Sequence, residues 1–205
     1  MATARVHHHH EDDIPNPQPI VITNSGISPQ AYKIANQQPV TFSSTGPTVN
    51  IYFEPDAFGV TVFNNVTGVS PTNPQTIPPQ TNDRTVNFNT DGSAVYPYAI
   101  QVGAGPMYVK VANSECTPEN PVVPYGGTIR MISTDIQHYK VNWSVNAGNP
   151  FPGLTDVYTA GNPLTKTYTE TLPVNANGFA FGFSVAPAPG PSLGMGGGNV
   201  IVKNS

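Results

Sequence analysis

The chain has 205 residues, room for one large domain or two small ones, and 38% of them are hydrophobic. Charged residues reach only 10% and the net charge is −4, which excludes the basic footprint of a nucleic-acid binder. No apolar run approaches the roughly 20 residues of a membrane-spanning helix, so no membrane span is expected and neutral Thr, Asn, Ser and Gln must cover much of the surface.

The N-terminus runs from Met1 to Val6 into His7, His8, His9 and His10, three acids, and a Pro-rich entry, Ile14-Pro15-Asn16-Pro17. The histidine run reads either as an expression tag or as a native tail. If native, imidazoles beside Glu11, Asp12 and Asp13 suit Zn, Ni or Cu ions. No apolar leader region is visible. Localisation stays open, with an extracellular or envelope site the expectation if a tag has replaced a leader.

Alternation of β-branched and aromatic residues between Gly, Pro and Asn predicts strands throughout, and no stretch carries a helical stripe. In the first half these are Ile20–Thr23, Ala31–Ile34, Pro39–Ser43, Val49–Phe53, Val60–Phe63, Thr85–Phe88, Tyr96–Val102 and Met107–Ala112. In the second they are Val122–Val123, Thr128–Ser133, His138–Val145, Asp156–Tyr158, Thr165–Thr171, Phe179–Val185 and Asn199–Lys203. Long Thr/Asn/Pro loops are expected from Thr67 to Asp83 and from Ala186 to Gly198. The expected core includes Phe42, Phe53, Phe88, Met131, Trp143, Phe181 and Phe183.

The pattern occurs twice. Val40-Thr41-Phe42-Ser43-Ser44-Thr45, followed by Ile51-Tyr52-Phe53, matches Ile129-Arg130-Met131-Ile132-Ser133-Thr134, followed by Val141-Asn142-Trp143. Near the end of each half, Tyr96–Val102 with Val109–Asn113 is matched to Phe179–Val185 with Val200–Asn204. The repeat predicts an all-β chain of two tandem Greek-key sandwiches. The expected divisions are an arm at 1–16, a first sandwich at 17–113, a linker at 114–121 and a second sandwich at 122–205. The single cysteine, Cys116, falls in that linker and reads first as an unremarkable free thiol, or, in an oxidising compartment, as an exposed thiol able to cross-link two chains.

In the second repeat, Gly126-Gly127-Thr128-Ile129-Arg130-Met131-Ile132-Ser133-Thr134-Asp135 leads to His138, and Gly194-Met195-Gly196-Gly197-Gly198 precedes the last strand. This resembles the cupredoxins: a Gly turn, an alternating strand, the first histidine ligand, and a Met/Gly loop before the closing strand. The resemblance implies cupredoxin-like or immunoglobulin-like sandwiches without electron transfer, and His138 with Met195 reads either as a weak Cu(I) donor pair or as a strand histidine with its ring satisfied and a loop methionine packed on apolar surface. The family's Cys and second His would follow the aromatic strand, and here that stretch is Phe183-Ser184-Val185-Ala186-Pro187. A type 1 centre needs a thiolate and two imidazoles, so no cofactor is expected beyond a weak copper site at His138 and Met195.

Other chemistry is sparse. His138 is the one histidine beyond residue 10, which leaves no Ser-His-Asp set. Glu54 and Asp56 are a close acidic pair around Pro55, read as a polar turn or a calcium-ligand fragment. The glycine run at 194–198 lacks the Lys-Ser/Thr of a phosphate loop and reads as a flexible hairpin or bulge. Asn65-Val66-Thr67 and Asn142-Trp143-Ser144 match the N-glycosylation sequon. The leading expectation is a non-enzymatic structural or interaction protein that self-associates or binds another protein, with the Ile14–Ile22 arm adding to a neighbour's sheet edge. Two alternatives stand: a carbohydrate-binding module using Tyr52, Tyr96, Tyr98, Tyr108, Tyr125, Tyr139, Tyr158 and Tyr168, and a metal-binding cupredoxin-like protein.

Overall fold

The computed structural model describes residues 18–135, 138–144, 151, 153–157, 168–171, 179–188 and 196–203. Every regular element among them is a strand. The first half holds β1 (Ile20–Thr23), β2 (Gly26–Ser28), β3 (Ala31–Ile34), β4 (Val40–Ser44), β5 (Val49–Phe53), β6 (Val66–Val69), β7 (Gln75–Ile77), β8 (Arg84–Asn89) and β9 (Tyr98–Val102). The second holds β10 (Met107–Ala112), β11 (Glu115–Thr117), β12 (Val122–Pro124), β13 (Thr128–Ser133), β14 (His138–Trp143), β15 (Asp156–Val157), β16 (Tyr168–Thr171), β17 (Ala180–Ala188) and β18 (Gly196–Lys203).

These strands form two sandwiches. The first packs the sheet β2-β1-β4-β7 on β3-β9-β8-β5-β6, and the second packs β11-β10-β13-β16 on β12-β18-β17-β14-β15. Adding nine to every strand number in the first pair reproduces the second pair in full. The parallel pairings recur as well: β1 with β4 and β3 with β9 in one, β10 with β13 and β12 with β18 in the other.

Period-2 alternation builds each core. In β4, Val40, Phe42 and Ser44 point inward, and in β10 Met107, Val109 and Val111 do the same. Phe42 meets Phe88 edge to face at 5.6 Å and Phe53 at 6.2 Å, the arrangement that the aromatic quadrupole favours. Met131, Tyr139, Phe151, Phe183 and the valines of β10 and β18 fill the second core. Trp143 and Phe181, expected inside, are half-buried at its rim; the Trp143 indole Nε1 donates to the Leu154 carbonyl at 3.0 Å.

The repeat is duplicated in space, but its boundary differs from the expectation. Met107–Ala112 does not close the first sandwich. It pairs in parallel with β13, from Met107 opposite Ile129 to Val111 opposite Ser133, so it opens the second. Its true counterpart is β1. Ile20-Val21-Ile22-Thr23-Asn24-Ser25 and Val109-Lys110-Val111-Ala112-Asn113-Ser114 each lead to a proline four residues later, Pro29 and Pro118. The bond before each of these prolines is cis. An alternating strand is equally consistent with either side of a boundary, and only the pairing decides. The expected linker at 114–121 is accordingly part of the second sandwich, with β11 paired to β10.

Three further differences concern local structure. Val60–Phe63 forms no strand; Val60 instead closes a turn capped by Asp56. The stretch from Thr67 to Asp83 contains β7 and most of β6. Finally, β1 lies between β2 and β4, so both of its edges are occupied and Ile20–Ile22 has none to offer a neighbour.

The sandwiches meet at a compact seam. Ala31, Ala99 and Val122 are buried against one another with Ile201 beside them. The Asn87 side chain reaches across from β8 to the backbone of β12. Lys33 Nζ donates to the Tyr125 carbonyl at 2.6 Å.

Candidate functional site

His138 opens β14, where its Nε2 lies 2.9 Å from Asp156 Oδ1 on the neighbouring β15. Lys140, two residues along the same face, donates to that same oxygen at 2.6 Å, and Thr155 Oγ1 donates to Asp156 Oδ2 at 3.0 Å. Burial alone would push the Asp156 carboxyl up. The hydrogen bonds from Lys140, His138 and Thr155 outweigh it and hold the group below the ordinary carboxylate range. The imidazole is thus tied into a surface polar network.

This donor set does not fit a blue-copper centre. The residue directly opposite His138 across the β14–β17 ladder is Ala188, which has no donor side chain. The thiol, Cys116, sits in the other sheet on β11, buried in the core rather than exposed in a linker. Burial first, and the Glu119 charge second, push that thiol up to about 12, so it is not a thiolate at neutral pH. Among the described residues, no group of three or more His, Cys, Asp or Glu side chains is placed to hold a metal ion. Met195 and His7 to His10 lie outside the described residues.

The acidic pair Glu54 and Asp56 separates. Asp56 Oδ1 accepts from the Phe58 and Val60 amides at 2.9 Å each, and its Oδ2 faces Arg84 at 3.7 Å. Glu54 lines a cleft of about 190 Å³ and also borders, with Asp56 and Lys110, a second hollow. Residues from both sandwiches line the cleft, among them Tyr96 and Pro97 before β9, Pro118 and Glu119 after β11, and Lys203 on β18. Glu54 Oε1 is buried there without a hydrogen-bond partner among the described residues. Burial raises the carboxyl to about 7. Sequence reading missed this cleft, since Glu54 and Pro118 carry no local signal of their meeting.

The glycine run is structural. Gly196, Gly197 and Gly198 lie within β18, not in a free hairpin. A Cβ on Gly196 would sit 1.8 Å from the Ser114 carbonyl oxygen, and one on Gly198 would sit 1.7 Å from that of Glu119. Only glycine permits this approach of β18 to the segment after β10.

Among the described residues the tyrosines do not gather into one stacking platform. Tyr139 is core, Tyr98 and Tyr125 pack on the cores, and Tyr52 receives a hydrogen bond from Asn50. The Tyr158 side chain and that of Tyr168 lie outside the described residues. Tyr108 differs. It faces outward from β10, with Arg130 5.6 Å above its ring and Phe58 of the first sandwich 6.5 Å away. Phe58 and Val60 are 49% and 55% exposed.

The chain matches no protein-family model and no curated protein. Among solved structures it is similar to a Cu-containing nitrite reductase from Thermus scotoductus SA-01, with 10% identity and a TM-score of 0.33 over 85% of this chain and 59% of that one. It is also similar to a laccase-like multi-copper oxidase, CueO, from Ochrobactrum sp., with 10% identity and a TM-score of 0.29 over 92% of this chain and 63% of that one. A blue copper oxidase from Nitrosomonas europaea matches at 12% identity and a TM-score of 0.31, over 85% and 76% of the two chains. This chain therefore spans about three fifths of the first two, and the likeness concerns the all-β sandwich architecture alone. It also corrects one expectation. The matched structures are copper enzymes, and the reading of the chain as non-enzymatic is withdrawn.

Proposed function

We propose that the chain is an interaction module that associates with copies of itself through the face formed by Phe58, Val60, Tyr108 and Arg130. The observation that carries this reading is the presentation of Phe58 and Val60. Both are exposed, yet they stand on a turn held by two amides donating to Asp56 Oδ1, by Gly59 N to Asp56 O and by Asp56 N to Val60 O, the last two at 2.9 Å. Little conformational freedom is left for association to remove. Phe, Tyr and Arg are the residue types that dominate the energetics of protein interfaces. Around these residues Arg84, Lys110 and Arg130 stand among Asp56 and Asp83, a mixed-charge rim of the kind that surrounds an interface core.

Multi-angle light scattering over a rising concentration series tests this. The mass of the native chain is expected to climb above 21.7 kDa, while Phe58→Asp stays at the monomer value. A native chain that stays monomeric throughout, or a variant that associates equally well, contradicts the reading.

A further inference from the structure

The inter-sandwich cleft combines a buried carboxylate oxygen that lacks a donor with walls that are mostly apolar. The Glu54 backbone is fixed at the cleft wall, its N donating to the Asn87 carbonyl at 2.9 Å. Val95, Pro97, Pro118 and Ile201 supply the apolar walls, and Tyr96 adds a ring. The missing partner is a compact donor that can also balance a charge. A hydrated divalent cation would demand six or more oxygens, which these walls do not offer. An ammonium on a short alkyl stem satisfies both parts: its N–H groups reach the carboxylate, its stem lies on the prolines, and its charge favours an aromatic face.

The geometry points to this cleft as a binding site for an alkylammonium group, free or at the end of a lysine side chain, with Glu54 as the receiving carboxylate. Glu119 and Lys203 line the same space and offset one another, while Asp56 and Lys110 line a second hollow that Glu54 also borders and likewise offset one another. Glu54 Oε1 accepts no hydrogen bond among the described residues, so Lys203 does not already fill the role. The site takes the ionised form of Glu54, and affinity rises as pH passes through about 7.

The test is a titration of the full chain with n-butylammonium chloride, followed by backbone amide NMR, with n-butanol as the neutral control. Saturable shifts are expected at Val95, Tyr96, Glu119 and Asn120, about tenfold weaker near pH 6 than near pH 8. Glu54→Gln should weaken binding by about tenfold or more near pH 8 and abolish the pH dependence. A parallel arm with a blocked Gly-Lys-Gly peptide separates the sources: tighter binding than the free amine assigns the site to a protein side chain, weaker binding to a free amine. Shifts equally produced by n-butanol, binding by Glu54→Gln as tight as that of the native chain, or the same affinity near pH 6 and pH 8 would each overturn the assignment.

Discussion

Asn87 and Val122 hold each other by two hydrogen bonds across the seam: Asn87 Nδ2 donates to the Val122 carbonyl at 2.7 Å, and the Val122 amide donates to Asn87 Oδ1 at 2.9 Å. Asn87 is on β8 of the first sandwich and Val122 on β12 of the second. Both residues are buried. The carboxamide thus acts as a stretch of backbone, satisfying the inner edge of β12 where no strand of the first sandwich is hydrogen-bonded to it.

Replacing Asn87 by Ala would leave that amide and carbonyl buried without partners. The expected cost is about 2–4 kcal/mol, since each orphaned group carries about 1–3 kcal/mol of desolvation. Urea denaturation followed by tryptophan fluorescence checks it, because Trp143 reports on the second sandwich. A loss under about 0.5 kcal/mol would mean that the bonds do not matter to the seam.

Glu54 makes stability fall with pH. Its folded carboxyl is raised from 4.5 to about 7, so between these values the folded state holds a proton that the unfolded state has released. Stability therefore declines as pH rises from about 4.5 to about 7 and stays lower above. Glu54→Gln removes the penalty. After discounting for the side chain's partial access to solvent, it should stabilise the protein by about 1–2 kcal/mol near pH 8 and leave it little changed near pH 4. Melting temperatures of both proteins at the two pH values decide this.

The Cys116 thiol is expected to be inert in the folded protein. It is buried on β11 and its pKa is pushed up to about 12. A thiol-specific reagent at neutral pH should react only as fast as the chain opens, and promptly in denaturant. Rapid labelling under native conditions would place β11 outside the core.

Gly198→Ala should destabilise the second sandwich by about 3 kcal/mol, because the new methyl meets the Glu119 carbonyl with no flexible side chain to give way. Thermal melting checks it, and an unchanged melting temperature would refute the close approach of β18.

What the sequence disclosed follows from which signals are local. Alternation exposed the inward positions of Phe42, Phe53 and Phe88, because a half-buried strand writes its faces into every second residue. The early landmarks of the repeat, around Phe42 and Met131, coincide with β4 and β13 for the same reason. The same local rule failed for Met107–Ala112, since Val109 and Val111 look alike whichever sheet receives them, and parallel pairing with β13 leaves no turn between the partners to reveal it. The cleft was invisible. Glu54 was legible only as half of an acidic turn, while its neighbours Pro118, Glu119 and Lys203 are brought in by the second sandwich. Cys116 looked like a linker thiol because three-residue strands such as β11 carry too little periodicity to be seen.

Hydrogen–deuterium exchange at low and high protein concentration tests the proposed association most directly, because it reports where copies meet as well as whether they do. Protection at residues 56–60 and 107–110 is expected to rise with concentration in the native chain and to stay constant in Phe58→Asp. Exchange at those residues that is independent of concentration, or new protection confined to other surfaces, would contradict the account.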